Sequence, residues 1–361
     1  MNADFMEALA QLEREKGIKV EVLVEAIEAA LISAYRRNFS SAQNVRVQIA
    51  RDTGEMHVFA QKTVVLDALD QRLEISLEAA MQLNPNYREG DIVELEVTPK
   101  DFGRIAAQTA KQVVLQRIRE AERGVIYEAF SDLEQDIISG VVSRQDARFY
   151  YVDLERTEGM LPHSEAIPGE RLRTGDRIKA FIARVEKTTK GPQIMLSRTH
   201  SGLVRRLLEL EVPEIYDGVI EVRAVAREPG SRSKVAVFSR NMDVDAIGAC
   251  VGQKGMRIQA IVTELRGEKI DIVEWSNDPA LFVANSLAPA KVVDVEVREH
   301  EKTARVTVPD HQLSLAIGRE GQNARLAAKL TGWKIDIKSE SQLGRTGALF
   351  AELAGDLTLE E

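Results

Sequence analysis

The sequence predicts a multidomain protein of the α+β class, and three observations support this. The chain has 361 residues, which exceeds the usual size of a single domain. Segments with helical spacing and segments with strand spacing follow one another along the whole chain. One order of helices and strands occurs twice after residue 200. We therefore expect several small mixed domains in series.

Residues 1–130 predict an α+β N-terminal domain. Apolar residues recur at helical spacing over residues 4–36, and Gly17 marks a break between two helices. Three segments alternate like strands, namely residues 45–49, 56–59 and 92–97. A long helix is expected from Asp101 to about Tyr127. Its apolar positions include Ile105, Val113, Leu115 and Ile118.

Residues 131–200 predict a small β-barrel. Five short strands are expected, at residues 137–142, 149–154, 159–161, 177–182 and 193–198. Five strands in so short a segment favour a closed barrel, and the OB-fold has this number of strands.

The remaining chain repeats the order helix, strand, strand, helix, helix, strand. We place the two copies at residues 201–277 and 278–345, followed by an acidic tail at 346–361 that we expect to be loose. The linker between the copies runs only from Trp275 to Pro279. Such a short linker leaves little freedom, so the sequence predicts a packed pair.

The bulk composition excludes several classes of protein. Hydrophobic residues make up 44% of the chain and charged residues 29%, which favours folded domains over disorder. No apolar run approaches the roughly 20 residues that cross a bilayer, and the first residues lack the pattern of a secretory signal. Cys250 is the only cysteine, so an intramolecular disulfide is impossible. We expect a cytoplasmic protein without a membrane partner.

Charge is distributed unevenly along the chain. The formal net charge is −9, which argues against a surface that binds nucleic acid everywhere. Residues 221–257 nevertheless contain seven bases and four acids, a local balance of +3. Residues 1–30 contain seven acids and three bases, a balance of −4. We expect these two regions to bind different partners.

Two GxxG loops occur at equivalent places in the two repeats. They are residues 252–255 (GQKG) and 318–321 (GREG). The motif alone is weak, and residues 344–347 (GRTG) match it in the tail without any of the surrounding pattern. The two loops share an apolar turn before them, an arginine-bearing helix after them, and the sequence GxKIDI at residues 267–272 and 332–337. This repeated context is far more specific than either loop.

The GxxG loops are candidate phosphate-binding sites. Glycine lets a phosphate approach the backbone, and the first N–H groups of the following helix carry partial positive charge. KH modules use such a loop to clamp about four nucleotides. The candidate RNA-binding residues are Gly252, Gln253, Lys254, Gly255, Arg257, Gly318, Arg319, Glu320, Gly321 and Arg325. Glu320 counts against the second loop, because a carboxylate repels a phosphate. The alternative is that these glycines only permit a tight turn between helices.

The barrel contributes weaker candidates. Three consecutive aromatic residues, 149–151, place rings on both faces of one strand, and we select Tyr150 as a ring on which a base could stack. Packing inside the barrel is an equal alternative. Arg198 and His200 lie where the chain leaves the barrel and are candidates to extend an RNA surface. An ordinary solvated linker is the alternative for both.

The sequence contains few of the motifs that would indicate an enzyme. The five histidines show no metal-ligand spacing, and the chain has neither a GxxxxGK[ST] phosphate loop nor a GxSxG elbow. Cys250 lies in an apolar helix before the first loop, where burial is its expected role. The sequence predicts no catalytic residue, no cofactor and no metal.

Several segments resemble the NusA family of bacterial transcription factors. They are residues 197–200 (SRTH), 210–215 (LEVPEI), 227–237 (REPGSRSKVAV), 245–252 (DAIGACVG) and 316–327 (AIGREGQNARLA). The similarity extends over nearly the whole chain, and the order of the predicted domains matches as well.

The resemblance implies both a fold and a function. It implies an α+β N-terminal domain that docks on RNA polymerase near the RNA exit channel. It also implies an S1-type OB-fold β-barrel and two tandem type II (prokaryotic) KH domains that receive single-stranded nascent RNA. Such proteins promote pausing and hairpin-dependent termination, and join antitermination complexes with other Nus factors. We expect a monomer.

Two other functions remain open from the residues themselves. An RNA-processing enzyme could use S1 and KH domains, but its catalytic domain would have to be residues 1–130, which lack an acidic metal cluster with recognisable spacing. A general RNA chaperone would bind RNA without any contact to polymerase.

Overall fold

A computed structural model describes residues 2–39 and 44–342, and the chain divides into two compact units at residues 126 and 127. The predicted acidic tail, 346–361, lies outside the described residues. The elements of the first unit are α1 (Asn2–Lys16), α2 (Val20–Phe39), β1 (Asn44–Ile49), β2 (Met56–Val65), β3 (Glu74–Ser76), α3 (Leu77–Leu83) and β4 (Ile92–Glu96). Helix α4 (Phe102–Ser131) follows and extends past residue 126.

The core of the first unit forms where α2 and α4 cover a sheet. Strand β2 is antiparallel to β1 and β4 and parallel to β3. On α2, Leu23, Ile27 and Leu31 recur every four residues and are fully buried, as helical spacing predicts. Buried and exposed residues alternate along β1, so its period-two pattern is confirmed.

Two details of the first unit differ from the sequence prediction. Strand β3 and helix α3 were not predicted, because both are too short to show a period. The Ser76 hydroxyl accepts from the N–H of Ala79 and caps α3. On α4, Phe102 and Ala106 are buried, whereas Leu115, one of the apolar positions named from the sequence, is exposed.

The second unit begins with a closed barrel. Its strands are β5 (Ile137–Gln145), β6 (Phe149–Asp153), β7 (Glu158–Pro162), β8 (Arg177–Thr188) and β9 (Gly191–Ser197). They close in the order β5-β6-β7-β9-β8. The predicted five-stranded barrel is therefore confirmed.

Two KH units follow with the predicted repeated order. The first contains α5 (Ser201–Glu211), α6 (Pro213–Tyr216), β10 (Ile220–Glu228), β11 (Arg232–Ser239), α7 (Ala246–Val251), α8 (Met256–Glu264) and β12 (Lys269–Glu274). The second contains α9 (Pro279–Ser286), β13 (Asp294–Arg298), β14 (Thr303–Val308), α10 (Leu313–Ile317), α11 (Gln322–Thr331) and β15 (Lys334–Ser339). In each sheet the middle strand is antiparallel to the first strand and parallel to the last.

The two KH units share one apolar core. Phe282 of α9 and Leu326 and Leu330 of α11 pack against Ala226 and Val273 in the sheet of the first unit. Removing these side chains from water stabilises the pair by roughly 25 cal/mol for each Å² of apolar surface buried. The packed pair predicted from the short linker is therefore confirmed.

The barrel and the first KH unit are also packed together. Ile167 and Phe181 of the barrel belong to the same buried cluster as Leu203, Leu207 and Val235 of the KH unit. The second unit of the chain is consequently one continuous body of barrel, first KH unit and second KH unit.

Candidate nucleic-acid interface

The two GxxG loops have nearly the same backbone conformation. Gly252 has φ 73° and ψ 175°, and Gly318 has φ 76° and ψ 171°. Lys254 and Glu320, two residues further on, both adopt left-handed conformations, with φ 52° and 55°. The internal repeat seen in the sequence thus extends to individual dihedral angles.

The first glycine of each loop is required by a close approach. A Cβ atom on Gly252 would lie 2.8 Å from the Arg257 side chain, and one on Gly318 would lie 2.8 Å from the backbone nitrogen of Asn323. The last glycine is favoured for a different reason. Gly321 has open space around it, but its φ of 74° is one that residues with a side chain rarely adopt. The tight-turn explanation therefore accounts for the glycines locally, and it leaves the loop free to bind a phosphate as well.

The loops present exposed groups and the start of a helix. Gln253 and Lys254 are exposed in the first loop, and Arg319 and Glu320 are exposed in the second. Gly255 precedes α8 and Gly321 precedes α11, neither with a side-chain cap. N–H groups at the start of these two helices can therefore donate hydrogen bonds to an anionic partner.

Arg257 and Arg325 brace the helices that follow the loops. The Arg257 guanidinium lies 3.0 Å from the Glu214 carboxylate and donates to the carbonyl of Ala249 at 2.6 Å. Arg325 pairs with Glu228 and donates to the Glu320 carbonyl at 3.2 Å. Each arginine lies where the sequence predicted, but part of its charge is neutralised within the protein.

An apolar cavity of about 460 Å³ lies between α7 and the last strand of the first KH unit. Ile247, Ile272 and Val273 line one part of it, and Ala284 and Asn285 of the second unit line another. An unstacked base needs such an apolar wall beside the phosphate clamp. The sequence gave no signal that α9 of the second repeat would line a cavity of the first.

Aromatic and basic side chains cluster on the barrel. The Tyr150 ring is half-buried and meets His163 edge to face, with 4.3 Å between ring centroids. The Arg144 guanidinium covers the ring of Tyr151 at 3.4 Å, and the Tyr151 hydroxyl donates to Asp146. Arg144 had no signal of its own in the sequence, because its position over the ring depends on the pairing of β5 with β6.

Arg198 does not lie on an exposed surface, and this corrects the expectation that it extends an RNA surface. Its side chain is 1% exposed. Its guanidinium donates twice to the Glu170 carboxylate, at 2.9 Å each, and also binds Glu264 at 3.1 Å. A charge is buried this way only when it is paired, so Arg198 joins the barrel to the first KH unit.

His200 is exposed and serves as a helix cap. Its Nδ1 accepts from the N–H of Gly202 at 3.0 Å, and its ring stacks on Phe181 with 4.4 Å between centroids. The imidazole therefore lies at the surface, beside the start of α5.

The described residues show no alternative chemical site. No group of histidine, cysteine or acidic residues among them is arranged to hold a metal ion. Burial raises the pKa of the Cys250 thiol to about 12, which keeps it protonated and unreactive at neutral pH. No helix among them combines the length and the apolar character needed to span a bilayer.

Four family models match successive parts of the chain. They describe a NusA N-terminal domain at residues 4–124, an S1 RNA binding domain at 132–197, a NusA-like first KH domain at 198–275 and a NusA-like second KH domain at 279–344. The solution structure of the N-terminal domain of NusA from Bacillus subtilis is 65% identical to the part it matches, covering 34% of this chain and 99% of that one, with a TM-score of 0.32.

Two similar proteins match almost the whole chain. The transcription termination/antitermination protein NusA of Halalkalibacterium halodurans is 65% identical over 359 residues, which are 99% of this chain and 94% of that protein. The protein of the same name from Bacillus subtilis is 62% identical, over 99% of this chain and 96% of that protein. With matching models over all four domains as well, the chain belongs to the NusA family.

Proposed function

We propose that this protein is a transcription termination and antitermination factor that binds RNA polymerase and nascent single-stranded RNA. It modulates pausing, intrinsic termination and antitermination together with other Nus factors, acts as a monomer in the cytoplasm, and catalyses no reaction. Two relatives that carry the name of such a protein support the proposal.

The observation that carries the proposal is the pair of matched loops on one body. Gly252 and Gly318 open loops of nearly the same conformation, and each loop leads into an uncapped helix. A shared core fixes the distance between the loops. Two clamps of about four nucleotides each, held in this way, suit one continuous stretch of extended RNA.

We assign the roles to domains as follows. Residues 1–130 bind RNA polymerase, residues 131–200 and the KH units at 201–277 and 278–345 bind RNA, and the acidic tail at 346–361 follows. The acidic start of the chain and the apolar groove beside α1 and α4 suit a protein partner better than RNA. The proposed RNA contacts are the two loops with Arg257 and Arg325, together with Tyr150 and His200 and without the buried Arg198.

A charge-reversal variant of the first loop tests the RNA site. Gln253→Asp with Lys254→Asp places two carboxylates where the phosphate is expected. Aspartate tolerates the left-handed conformation at residue 254, so folding should persist. We expect affinity for unstructured RNA to fall by about tenfold or more. The GRTG motif at residues 344–347, which lacks the surrounding repeat, offers a matched control, because Arg345→Asp with Thr346→Asp changes the net charge by the same three units.

The second loop is expected to contribute less. Arg319→Asp with Glu320→Asp should weaken binding by a smaller factor, because Glu320 already repels a phosphate. Full affinity in a folded first-loop variant would contradict the RNA site. Equal losses of RNA affinity in that variant and in the control variant at residues 345 and 346 would show that only net charge matters.

Binding of polymerase separates the proposal from its two alternatives. A fragment of residues 1–130, checked for folding by circular dichroism, should capture core RNA polymerase in a pull-down. A general RNA chaperone would show no such capture, and an RNA-processing enzyme would cleave or modify a labelled RNA. Binding of polymerase by residues 131–361 alone would overturn the division of roles.

A further inference from the structure

A basic cleft lies at the junction of the barrel and the first KH unit. A cavity of about 460 Å³ is lined by barrel residues 167–171, 173 and 176 and by Gly230 and Arg266 of the KH unit. Arg266 also lines an adjoining cavity of about 290 Å³, which Arg177 borders from the barrel side. The two cavities share Arg266 at the junction, and neither is lined by a residue of a GxxG loop.

Three arginines of this cleft are exposed and have no partner in the protein. The guanidinium groups of Arg171, Arg173 and Arg177 make no ion pair or hydrogen bond within the described ranges 2–39 and 44–342. Exposed arginines commonly pair with nearby carboxylates, and many others in this chain do so. These three instead leave all their donors free beside a cavity.

The carboxylates of the larger cavity are already occupied. Glu170 is bound by two donors of Arg198 at 2.9 Å each and by Arg266 at 3.2 Å. Asp176 accepts from the backbone N–H of Arg173 at 2.8 Å. Glu170 is therefore neutralised by internal cations, whereas Asp176 keeps its charge, and the two charges of Arg171 and Arg173 exceed that single charge. That charge stands out in a chain whose formal net charge is −9.

The wall of the cleft is fixed before any ligand binds. The hairpin turn at Gly230 approaches so closely that a Cβ there would lie 3.0 Å from Ile167 and 3.2 Å from the Pro168 carbonyl. The Gly230 N–H also donates to Glu268, whose carboxylate forms a buried ion pair with Arg227. A site formed by two packed domains is preorganised, so little conformational entropy is lost on binding.

We propose that this junction is a phosphate-binding cleft in which Arg171, Arg173 and Arg177 bind successive phosphates of a phosphodiester or polyphosphate chain. The planar fork of guanidinium donors matches phosphate oxygens, and several arginines at one junction suit a chain of anions better than a single carboxylate. Two ligands could supply these phosphates, namely the backbone of RNA and a free polyphosphate. For the RNA source, the inference rests on the proposed function.

RNA can extend from the first GxxG loop to this cleft. Arg266 follows the last turn of α8, and Gly255 precedes its first turn. The helix contains nine residues, so about 14 Å separates the two ends. A few nucleotides of extended strand span that distance, and an RNA that only fills the KH pair does not reach the arginines.

Two RNAs of different length test, with the full chain, whether the cleft binds the RNA backbone. The variant is Arg171→Gln with Arg173→Gln, and the matched control is Arg156→Gln with Lys190→Gln, two exposed bases of the same barrel. Arg266 is left intact because it binds Glu170. We expect the variant to lose about tenfold in affinity for an unstructured RNA of roughly 20 nucleotides, with a salt slope smaller by about two contacts. An RNA of roughly 8 nucleotides, enough for two KH clamps, should bind the variant and wild type equally.

Inorganic tripolyphosphate tests whether the cleft binds a free polyphosphate. If the cleft takes free polyphosphate, this probe raises the Tm of the wild type and of the control but not that of the variant. Either result supports a phosphate-binding cleft and identifies its ligand. The proposal is overturned if the folded variant matches the control with both RNAs and with tripolyphosphate. Binding of the short RNA is read separately, so failure of the cleft is distinguishable from failure of the proposed function.

Discussion

The Nε atom of Arg325 in α11 lies 2.6 Å from the carboxylate of Glu228 at the end of β10. The Gln322 amide donates to the same carboxylate at 2.9 Å and to the Ser231 hydroxyl at 2.7 Å. The helix that begins at the second GxxG loop is thereby attached to the first KH unit. Movement of one loop relative to the other requires these bonds and the apolar core beneath them to break.

Freeing the two KH units from each other should weaken RNA binding. A Gly/Ser segment inserted between Ser276 and Asp278, combined with Leu326→Ala, removes both the short linker and part of the shared core. We expect at least a tenfold loss of affinity for RNA that spans both loops, because the second clamp then binds at a lower effective concentration. Either change alone should have a smaller effect. Unchanged affinity in the combined variant, with circular dichroism showing intact domains, would indicate two independent sites.

The Glu228 pair should make stability depend on pH. The Arg325 guanidinium, followed by the Gln322 amide, holds the pKa of Glu228 below its ordinary value. A lowered pKa in the folded state gives stability that is fully present above the unfolded pKa of about 4.3 and lost as pH falls through the folded value. The difference in unfolding free energy between wild type and Glu228→Gln should therefore shrink between pH 6 and pH 3. Urea unfolding measures it, and Arg325→Gln should remove most of the pH dependence of that difference.

The two glycines of the second loop should differ in their tolerance of alanine. Both have positive φ, but Gly321 is in the left-handed helical region, which costs a residue with a Cβ about 1–2 kcal/mol, whereas Gly318, with ψ 171°, is in a region almost exclusive to glycine. At Gly318 the new Cβ also meets the backbone of Asn323, whereas at Gly321 it meets nothing within 4 Å. We expect Gly318→Ala to lower the free energy of unfolding by about 1 kcal/mol or more beyond Gly321→Ala. Equal losses in denaturant unfolding would show that the Asn323 contact relaxes freely.

Arg198→Gln should destabilise the junction of barrel and first KH unit. The change leaves the Glu170 carboxylate buried with Arg266 as its remaining cation, and removing one partner of a buried pair costs about 3 kcal/mol or more. Thermal unfolding measures the loss, and Arg156→Gln, at an exposed position, is the matched control. A direct role in RNA binding would appear instead as lost affinity with unchanged Tm.

Local features of the sequence predicted much of this molecule. The break at Gly17, the alternation of residues 45–49 and the repeated order after residue 200 depend on period and turn chemistry, which act over a few residues. The GxxG loops could be recognised because each one stands at the equivalent place in the other copy of the repeat. Helix α3 and strand β3 were missed because elements of seven and three residues carry no periodic signal.

The roles of charged side chains were not predictable in the same way. Arg198 and Arg171 are both arginines of the barrel, yet one is buried in an ion-pair network and the other is exposed beside a cavity. Arg325 was expected to face a phosphate, and it also binds a carboxylate 97 residues away in sequence. Such pairings depend on which segments meet after folding.

The sequence by itself determined the series of domains, the two GxxG loops and the family, because these depend on local spacing and on residue types that recur in order. The tertiary structure alone decided that the two KH units share a core, that α9 of one unit lines the groove of the other, and that Arg198 is buried. It also decided that free arginines line the junction cleft. The physical reason is that burial and ion pairing are properties of contacts between distant segments, and the packing of one domain on its neighbour sets them.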